Sequence, residues 1–270
     1  MNTVSAATHT DDEINIDKIS SQLDTFSFGK KVIYLPVSGS TNEEAKKIAA
    51  HGAAEGTVII SKEQTGGKGR LNRSFFCPPG GLWFSLILRP SFAPAEANKI
   101  TLMASVAVAE TLRQKKFAVK IKWPNDVYLH GKKITGILTE MRLKVGKVDF
   151  AVLGIGLNVN IAAGTFPPNV RETATSLLIE NGSRIDMEQL FVDLMRSLEN
   201  LYIAACHNGY DSVWDKWRKY SLTLNQTVNV ISCDGSTFSG VAVDIDTDGA
   251  LLVQTKEGMR RVLADDVSIR

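Results

Sequence analysis

Three glycines within four positions alternate with basic residues in the segment Gln64-Thr-Gly-Gly-Lys-Gly-Arg-Leu-Asn-Arg73. Glycine lets a backbone approach an anion closely, and lysine and arginine supply charge-assisted donors to phosphate or carboxylate. Gly67, Lys68 and Arg70 are therefore candidates for an anion clamp. A mobile surface loop with solvated charges is the alternative, because short Gly and Lys patterns occur widely. The Gly-Lys-Ser/Thr element of a Walker A loop is absent.

Two polar clusters, Lys122-Trp-Pro-Asn-Asp126 and Lys132-Lys-Ile-Thr-Gly136, bracket a turn inside a strand-rich stretch. Lysine is depleted in strands and costly to bury, so a lysine there either extends to solvent or meets an anion. The solvent interpretation is favoured for Lys132. Lys133 directly precedes an apolar run, and for this residue both interpretations stay open.

The segment Gly154-Ile-Gly-Leu-Asn158 has the alternation of a strand, which places Gly154, Gly156 and Asn158 on one face. Glycine weakens a strand unless something needs the room, so this face is predicted to lie beneath a ligand. A bulge or a tight sheet crossing is the alternative, because glycine serves these equally well.

The cluster Ser40-Thr-Asn42 stands at the start of a predicted helix. Ser40 with Glu43 and Thr41 with Glu44 form two overlapping capping-box patterns. Capping explains the cluster completely, while exposed backbone amides at a helix start are also able to bind a polar ligand group.

The composition excludes several classes of protein. Lys plus Arg (31) nearly balances Asp plus Glu (29), so net charge does not predict nucleic-acid binding. Cys77, Cys206 and Cys233 lie far apart and predict neither a zinc site nor a disulfide framework. Neither a signal peptide nor a run of 18 apolar residues occurs, so a cytoplasmic protein without membrane association is predicted. The four histidines are scattered, which disfavours histidine-based acid/base catalysis.

The periodicity around these motifs predicts an α/β (α+β) fold with one mixed, largely antiparallel sheet and helices packed on it. Helices are predicted over 14–28, from residue 41, from Pro94 to about Lys116, and over 186–205. Beyond Leu224, short alternating runs broken by Asp-Gly and Glu-Gly pairs predict a small β-barrel built from hairpins. The expected division is a tail with a short helix (1–29), a catalytic domain (30–224) and a C-terminal domain (225–270).

In their order and spacing, the Ser40, Gln64, Lys122, Lys133 and Gly154 motifs resemble the biotin protein ligase family from about residue 30 to the C-terminus. KWPND followed by K-x-x-G-I-L is the strongest part. The resemblance implies a class II synthetase-like, lipoate-ligase-like catalytic domain and an SH3-like C-terminal barrel. It also implies that ATP with Mg²⁺ activates biotin to biotinyl-5′-AMP. Biotin then passes to a lysine of a biotin carboxyl carrier domain, in acetyl-CoA carboxylase or a related carboxylase.

The resemblance also implies roles for individual residues. The catalytic candidates are Lys133, Arg70 and Asp126. The candidates for biotin binding are Ser40, Thr41, Asn42, Gln64, Lys68, Gly69, Arg70, Lys133 and Gly136. The candidates for ATP binding are Gly67, Lys68, Arg70, Asn125, Lys133 and Asn158, and no metal ligand is assigned.

Asp126 is the hypothetical proton acceptor for the second half-reaction. A free lysine with a pKa of about 10.4 is protonated at neutral pH, so its attack on the adenylate requires a group that removes a proton. Asp126 follows Asn125 in the site-forming motif. An aspartate that only stabilises the turn is the alternative.

The chain departs from the family pattern at Gly66, Lys68, Asn72 and Phe75, where alanine, arginine, glycine and tryptophan are frequent. An additional glycine raises the entropy lost when the loop closes, which disfavours loop ordering and adenylate retention. The usual C-terminal Gly-Glu-Val-Ser is here Asp265-Asp-Val-Ser268.

Three expectations concern partners and alternatives. Only about 30 residues precede the first matched strand, too few for the winged helix of repressor members, so DNA binding is not expected. An exposed sheet edge makes a homodimer possible. A lipoate or octanoate ligase or transferase is the nearest alternative activity, although the arginine-rich Ser-Gly-Gly-Gly loop of that family is absent.

Overall fold

The structure is a computed structural model that describes residues 13–90, 93–232, 235–263 and 266–269. The side chains of Asn72, Ala95 and Asp266 are not part of the described structure. The predictions for the first dozen residues, for Cys233 and for Asp265 therefore lie outside the described residues.

The helices and strands follow one another in this order: α1 (Ile16–Gln22), β1 (Val32–Ser38), α2 (Thr41–Ala50), β2 (Val58–Gln64), β3 (Leu82–Leu88), α3 (Ala97–Gln114), β4 (Lys120–Lys122), β5 (Asp126–Leu129), β6 (Lys132–Lys144), β7 (Lys147–Leu157), α4 (Pro168–Arg171), α5 (Leu177–Asn181), α6 (Met187–Asn208), α7 (Asp211–Tyr220), β8 (Thr227–Ile231), β9 (Thr237–Ile245), β10 (Leu251–Thr255), β11 (Gly258–Val262) and β12 (Asp266–Ile269). Short 3₁₀ turns span Arg70–Asn72, Pro94–Glu96 and Ala163–Thr165.

The larger sheet has seven strands in the order β1-β2-β3-β7-β6-β5-β4. Strands β1 and β2 run parallel, and each of the other neighbouring pairs is antiparallel. Helices α3 and α6 pack together in the main core on one face. On the other face, Ala45 and Ala49 of α2 pack against Ile59, Ile87 and Val152 of the sheet. The predicted mixed, largely antiparallel sheet with packed helices is confirmed.

The helix predicted over 14–28 is much shorter, because α1 ends at Gln22. The buried carboxylate of Glu199 accepts hydrogen bonds from the backbone N–H groups of Phe26, Ser27 and Phe28 at 2.6–2.8 Å. These N–H groups are thus satisfied outside a helix, and a tertiary contact outweighs the local periodicity. Sequence reasoning also missed the short helices α4 and α5.

The smaller sheet is antiparallel, with strand order β11-β10-β9-β8-β12. Gly249 and Gly258, with φ of +77° and +127°, stand at the two turns that flank β10. The carbonyl of Gly249 accepts hydrogen bonds from Asn98 Nδ2 at 2.8 Å and Trp123 Nε1 at 3.1 Å. The turn before β10 is therefore bonded directly to the segment that carries the KWPND motif. None of the described helices is both long and apolar enough to cross a bilayer.

Candidate active site

Strand register places the glycine motifs side by side on the α2 face of the sheet. Gly156 of β7 lies between Trp83 and Gly136, and Gly136 in turn pairs with Asp126 of β5. A Cβ on Gly136 or Gly156 would come within 2.8 Å or 2.7 Å of the ring of Phe75. The Phe75 ring occupies the space above these glycines, and a ligand over this face stays a prediction.

A cavity of about 160 Å³ opens above this part of the sheet. All the predicted site residues except Gly67 and Asn158 line it: Ser40, Thr41, Asn42, Gln64, Lys68, Gly69, Arg70, Asn125, Asp126, Lys133 and Gly136. Ile137 and Leu138 add apolar surface to its lining. Residues from six separate parts of the chain thus converge on one concave site.

Thr41, Asn42 and Gln64 form one side of the cavity. Together with Ser85 and Glu140, which bond to them from outside the cavity lining, they make a hydrogen-bonded group that we name the polar wall. Gln64 Oε1 accepts from Thr41 N at 2.7 Å and from Thr41 Oγ1 at 3.1 Å. Ser85 Oγ lies 2.7 Å from Thr41 Oγ1 and 2.6 Å from Asn42 Oδ1, and its single proton is shared between these two acceptors. Asn42 Nδ2 donates to Glu140 Oε2 at 2.8 Å. Thr41, Asn42 and Ser85 are almost completely buried.

The capping boxes predicted at the start of α2 are not formed. Ser40 is the N-cap residue but makes no side-chain capping bond. Glu44 pairs with Lys47 instead of returning to the backbone. The orphan N–H of Thr41 is satisfied by Gln64, a residue of the neighbouring strand β2. The capping prediction was wrong because a tertiary partner supplies the cap, which leaves the Ser40 hydroxyl available to the cavity.

The opposite side is the glycine loop, which we define as residues 65–74. Backbone bonds close it as a hairpin-like turn, with Phe75 N donating to Gly67 O at 2.9 Å and Gly69 N donating to Arg73 O at 2.7 Å. A Cβ on Gly67 would lie 2.5 Å from the carbonyl oxygen of Phe75. Glycine is thus required at position 67 by close backbone packing.

Lys68 of the glycine loop is tied to α2 by an ion pair. Its Nζ lies 2.7 Å from Glu43 Oε1, and Lys46 Nζ lies 2.9 Å from the same oxygen. Hydrogen bonds from Lys68 and Lys46 hold the pKa of Glu43 below its ordinary value. An incoming anion therefore has to compete with this carboxylate for the ammonium group of Lys68.

Lys133 stands at the centre of the site. Its Nζ lies 2.6 Å from Asp126 Oδ1 and 5.4 Å from the centroid of the Phe75 ring. Backbone bonds between Lys133 and residues 173 and 175 hold the start of β6 in place. Of the two interpretations left open for Lys133, this position favours the anion interpretation, because the ammonium already faces a carboxylate at the edge of a cavity.

A second cavity of about 200 Å³ adjoins the first and shares Ser74, Phe75 and Lys133 with it. Its lining is more aromatic, with Phe76, Tyr128 and Phe166 beside Asn158. Burial and the nearby charge of Asp126 raise the pKa of Tyr128 to about 12, so this phenol stays protonated at neutral pH. The shared wall places Lys133 where a ligand group from each cavity can reach it.

Asn125 and Asn158 both use their side-chain amides to hold the backbone. Asn125 Nδ2 donates to Ile137 O at 2.8 Å, and Asn158 Nδ2 donates to Thr175 O at 2.8 Å. Asn125 lines the first cavity and Asn158 the second. Within the described part of the chain, no hydrogen bond engages the side-chain oxygen of either residue, which leaves that oxygen for a ligand.

Sequence reasoning missed three residues of the site. Phe75 was noted only as a departure from a family pattern, although it separates the two cavities. Ser85 was overlooked, although it is the one polar residue in the apolar strand Leu82–Leu88. Glu140 was overlooked as well, since an acidic residue in a half-exposed strand is ordinary. Of these three residues, only Ser85 gave a signal in the sequence, as a polar residue within an apolar strand.

The thiol of Cys77 lies behind the polar wall, where its Sγ accepts from Gln64 Nε2 at 3.0 Å. Burial raises the pKa of Cys77 to about 12, so it is an inert packing residue at neutral pH. Cys206 is exposed. Within the described ranges, no three or more His, Cys, Asp or Glu side chains cluster as a metal site.

Comparison with known proteins places the chain in a family. The Biotin/lipoate A/B protein ligase family matches residues 34–158, and the Biotin protein ligase C terminal domain matches residues 223–270. The bifunctional ligase/repressor BirA of Bacillus subtilis is 34% identical over 259 residues, which cover 95% of this chain and 79% of that protein. The biotin–[acetyl-CoA-carboxylase] ligase of Mycobacterium tuberculosis is 34% identical over 238 residues, 85% of each protein.

Among solved structures, the biotin protein ligase from Aquifex aeolicus in complex with biotin and ATP superposes with a TM-score of 0.76. The match covers 89% of this chain and 99% of that one, at 27% sequence identity. The fold, the two matched segments and the relatives agree with the resemblance inferred from the motifs. This chain belongs to the biotin protein ligase family.

Proposed function

We propose that this protein activates biotin with ATP to biotinyl-5′-AMP and transfers the biotinyl group to a lysine of a carboxylase carrier domain. The relatives named above include a biotin–[acetyl-CoA-carboxylase] ligase, and the Aquifex structure holds biotin and ATP. The observation that carries the proposal is the pair of adjoining cavities with Lys133 in their common wall.

The polar wall supports biotin as the ligand of the first cavity. A urea has two N–H donors and one carbonyl acceptor. The hydroxyl proton of Thr41 is directed to Gln64, so the oxygens of Thr41 and Asn42 are left to accept from N–H groups. The Ser40 hydroxyl makes no capping bond and can donate to the ureido carbonyl. Gly136, Ile137 and Leu138 offer apolar contact to the rest of the ligand.

The second cavity supports binding of the nucleotide. Phe76 and Phe166 have ring centroids 6.4 Å apart and provide an aromatic surface for a purine base. We assign Gly67, Lys68, Arg70, Asn125, Lys133 and Asn158 to the ATP, with the basic residues on its phosphates. Mg²⁺ commonly binds through substrate phosphates and one or two carboxylates, so we propose that it enters with ATP.

In the first half-reaction a carboxylate oxygen of biotin attacks the α-phosphorus of ATP and pyrophosphate leaves. Two anions must approach each other, so positive charge near the new bond lowers the barrier. Lys133 is fixed between the cavities by Asp126, and Lys68 and Arg70 line the first cavity from the glycine loop. Arg70 and Lys133 are therefore our candidates for electrostatic stabilisation of this step.

In the second half-reaction the carrier lysine attacks the biotinyl carbonyl, AMP leaves, and a proton is lost from the amine. Asp126 stays our candidate acceptor, and its ion pair with Lys133 adds a role in positioning that lysine. Asp126→Asn separates the two roles when each half-reaction is measured alone. Slow transfer of preformed biotinyl-adenylate supports the acceptor role, whereas a normal transfer rate would remove it.

Biotin-dependent exchange of labelled pyrophosphate into ATP tests the proposed activity. Exchange that requires biotin supports it. Exchange that responds to lipoate instead would establish the lipoate or octanoate alternative, which the first family description also includes. Absence of exchange with either acid would overturn the assignment as an adenylating enzyme.

Several expectations about context stay predictions. These are the domain boundary at 224/225, the cytoplasmic location, the lack of DNA binding and the possible homodimer. The lack of DNA binding needs a test because some relatives are named as repressors. A biotin-dependent gel shift with operator DNA would contradict it. Strands β1 and β4 end the larger sheet as described, and light scattering at several concentrations tests whether an edge pairs two copies.

A further inference from the structure

We propose that Glu140 is a positioning residue for biotin recognition, because its carboxylate sets the orientation of the Asn42 amide and thereby the acceptor character of the polar wall. This inference rests on the proposed function, since biotin binding is its readout. Glu140 lies on β6, on the far side of Asn42 from Ser85, and is not among the residues that line the first cavity.

The first step of the argument concerns the two ends of the Asn42 amide. An ionised carboxylate only accepts hydrogen bonds, and so does a backbone carbonyl. Asn42 Nδ2 faces both kinds of acceptor, Glu140 Oε2 at 2.8 Å and Leu138 O at 3.3 Å. The amide oxygen must then point the other way, towards Ser85. Of these contacts the charged acceptor is the stronger, so Glu140 dominates the choice of orientation.

The second step follows the protons through the buried side of the wall. Ser85 is fully buried and has one hydroxyl proton, which lies between Asn42 Oδ1 and Thr41 Oγ1. Because both of these atoms act as acceptors there, Thr41 directs its own proton to Gln64 Oε1. The oxygens of Thr41 and Asn42 therefore keep lone pairs for ligand N–H groups.

Inversion of the Asn42 amide would reverse this pattern. Its Nδ2 would face Ser85 and the ligand, and a donor would then oppose the N–H donors of a ureido ring. A buried donor without an acceptor is unfavourable, so the inverted wall favours a different ligand polarity. Glu140 itself is anchored by Lys46, whose Nζ lies 2.8 Å from the other carboxylate oxygen.

The test compares Glu140→Gln with a matched control, using calorimetric titration of biotin and thermal melting of each variant. Glutamine keeps the size of the side chain but offers either a donor or an acceptor, so the Asn42 amide loses its imposed orientation. We expect biotin affinity to fall roughly 3- to 10-fold, the equivalent of one hydrogen bond. Glu44→Gln makes the same change on α2, where Glu44 pairs with exposed Lys47, and should leave affinity unchanged.

A double-mutant cycle shows whether Glu140 acts through Asn42. In an Asn42→Ala background, Glu140→Gln should change biotin affinity less than about twofold, because contacting residues couple while independent ones add. An equal loss in both backgrounds would overturn the proposal and leave Glu140 as a general stabiliser of the fold.

The effect of Glu140→Gln on biotin affinity should change sign in an Asn42→Asp background. This second test applies even where Glu140→Gln alone does not fold. Asn42→Asp places a second carboxylate against Glu140, and like charges disfavour that arrangement. Adding Glu140→Gln supplies a donor to Asp at position 42 and restores its oxygen towards Ser85. We expect the double variant to bind biotin at least about threefold more tightly than Asn42→Asp.

Failure of the double variant to recover affinity contradicts the proposal, as does wild-type affinity in a folded Glu140→Gln protein. These outcomes differ from failure of the proposed function, in which the unmodified protein itself would not bind biotin.

Discussion

The two sides of the first cavity solve opposite problems. Thr41, Asn42 and Ser85 of the polar wall are buried and its side chains bond to one another, so its donors and acceptors are fixed before a ligand arrives. The glycine loop carries the exposed Lys68 and Arg73 and the half-buried Arg70, and backbone turns and the ion pair of Lys68 to α2 help to hold it. A neutral ureido group is recognised by donors and acceptors in fixed positions, whereas a triphosphate is bound by charged side chains that can move with it. Within one site, the polar wall is thus preorganised for its ligand, whereas the glycine loop can adapt to its ligand.

The largest effect is expected where wall and loop meet, at Lys133. Lys133→Ala removes the ammonium between the two cavities and should slow biotin-dependent pyrophosphate exchange roughly 10²- to 10³-fold, the loss typical for a preorganised electrostatic group. The melting temperature should change little, because Lys133 is partly exposed. Lys132→Ala, one position away on the same strand, is the control. Full exchange activity of Lys133→Ala would mean that other residues provide the electrostatic stabilisation.

A smaller effect is expected from crowding the glycine loop. In Gly67→Ala the new Cβ meets the Phe75 carbonyl at 2.5 Å and the Cys77 sulfur at 2.7 Å, so the loop has to shift. Overpacking costs about 1–3 kcal/mol, and we expect a fall in kcat/KM of roughly 5- to 100-fold. Gly164→Ala has no atom within 4 Å of its Cβ and is the matched control. If both variants behave alike, close packing at position 67 does not matter.

The smallest effect should come from the tie between the loop and α2. Glu43→Gln removes the carboxylate that holds Lys68, so an anionic ligand no longer competes for that ammonium. Exposed pairs contribute about 0–1 kcal/mol, so the KM for ATP should fall by up to about fivefold. Steady-state exchange kinetics at low salt measure this, with Glu44→Gln as the comparison. A higher KM would mean that Glu43 positions Lys68 for the ligand.

Sequence reasoning predicted the large sheet and most residues of the site, because few other residue types could replace the glycine, lysine and amide residues of the ordered motifs. It failed at the start of α2, where a helix cap comes from Gln64, 23 residues later in the chain. It also failed for Glu140, whose importance depends on which residue β6 places beside Asn42. Local sequence patterns predict local hydrogen bonds. They do not predict partners that the fold brings together from distant segments, because no fixed sequence spacing relates those partners.

The bonds to Gly249 have a consequence for unfolding. Trp123 is 1% exposed, and its indole N–H donates to a carbonyl in the smaller sheet. If that sheet opened alone, this N–H and the amide of Asn98 would both lose their acceptor. The KWPND segment would then lose its support at the moment the smaller sheet detached. Heating should therefore melt both sheets in one cooperative transition, and the small sheet belongs to the same folding unit as the residues around Asp126.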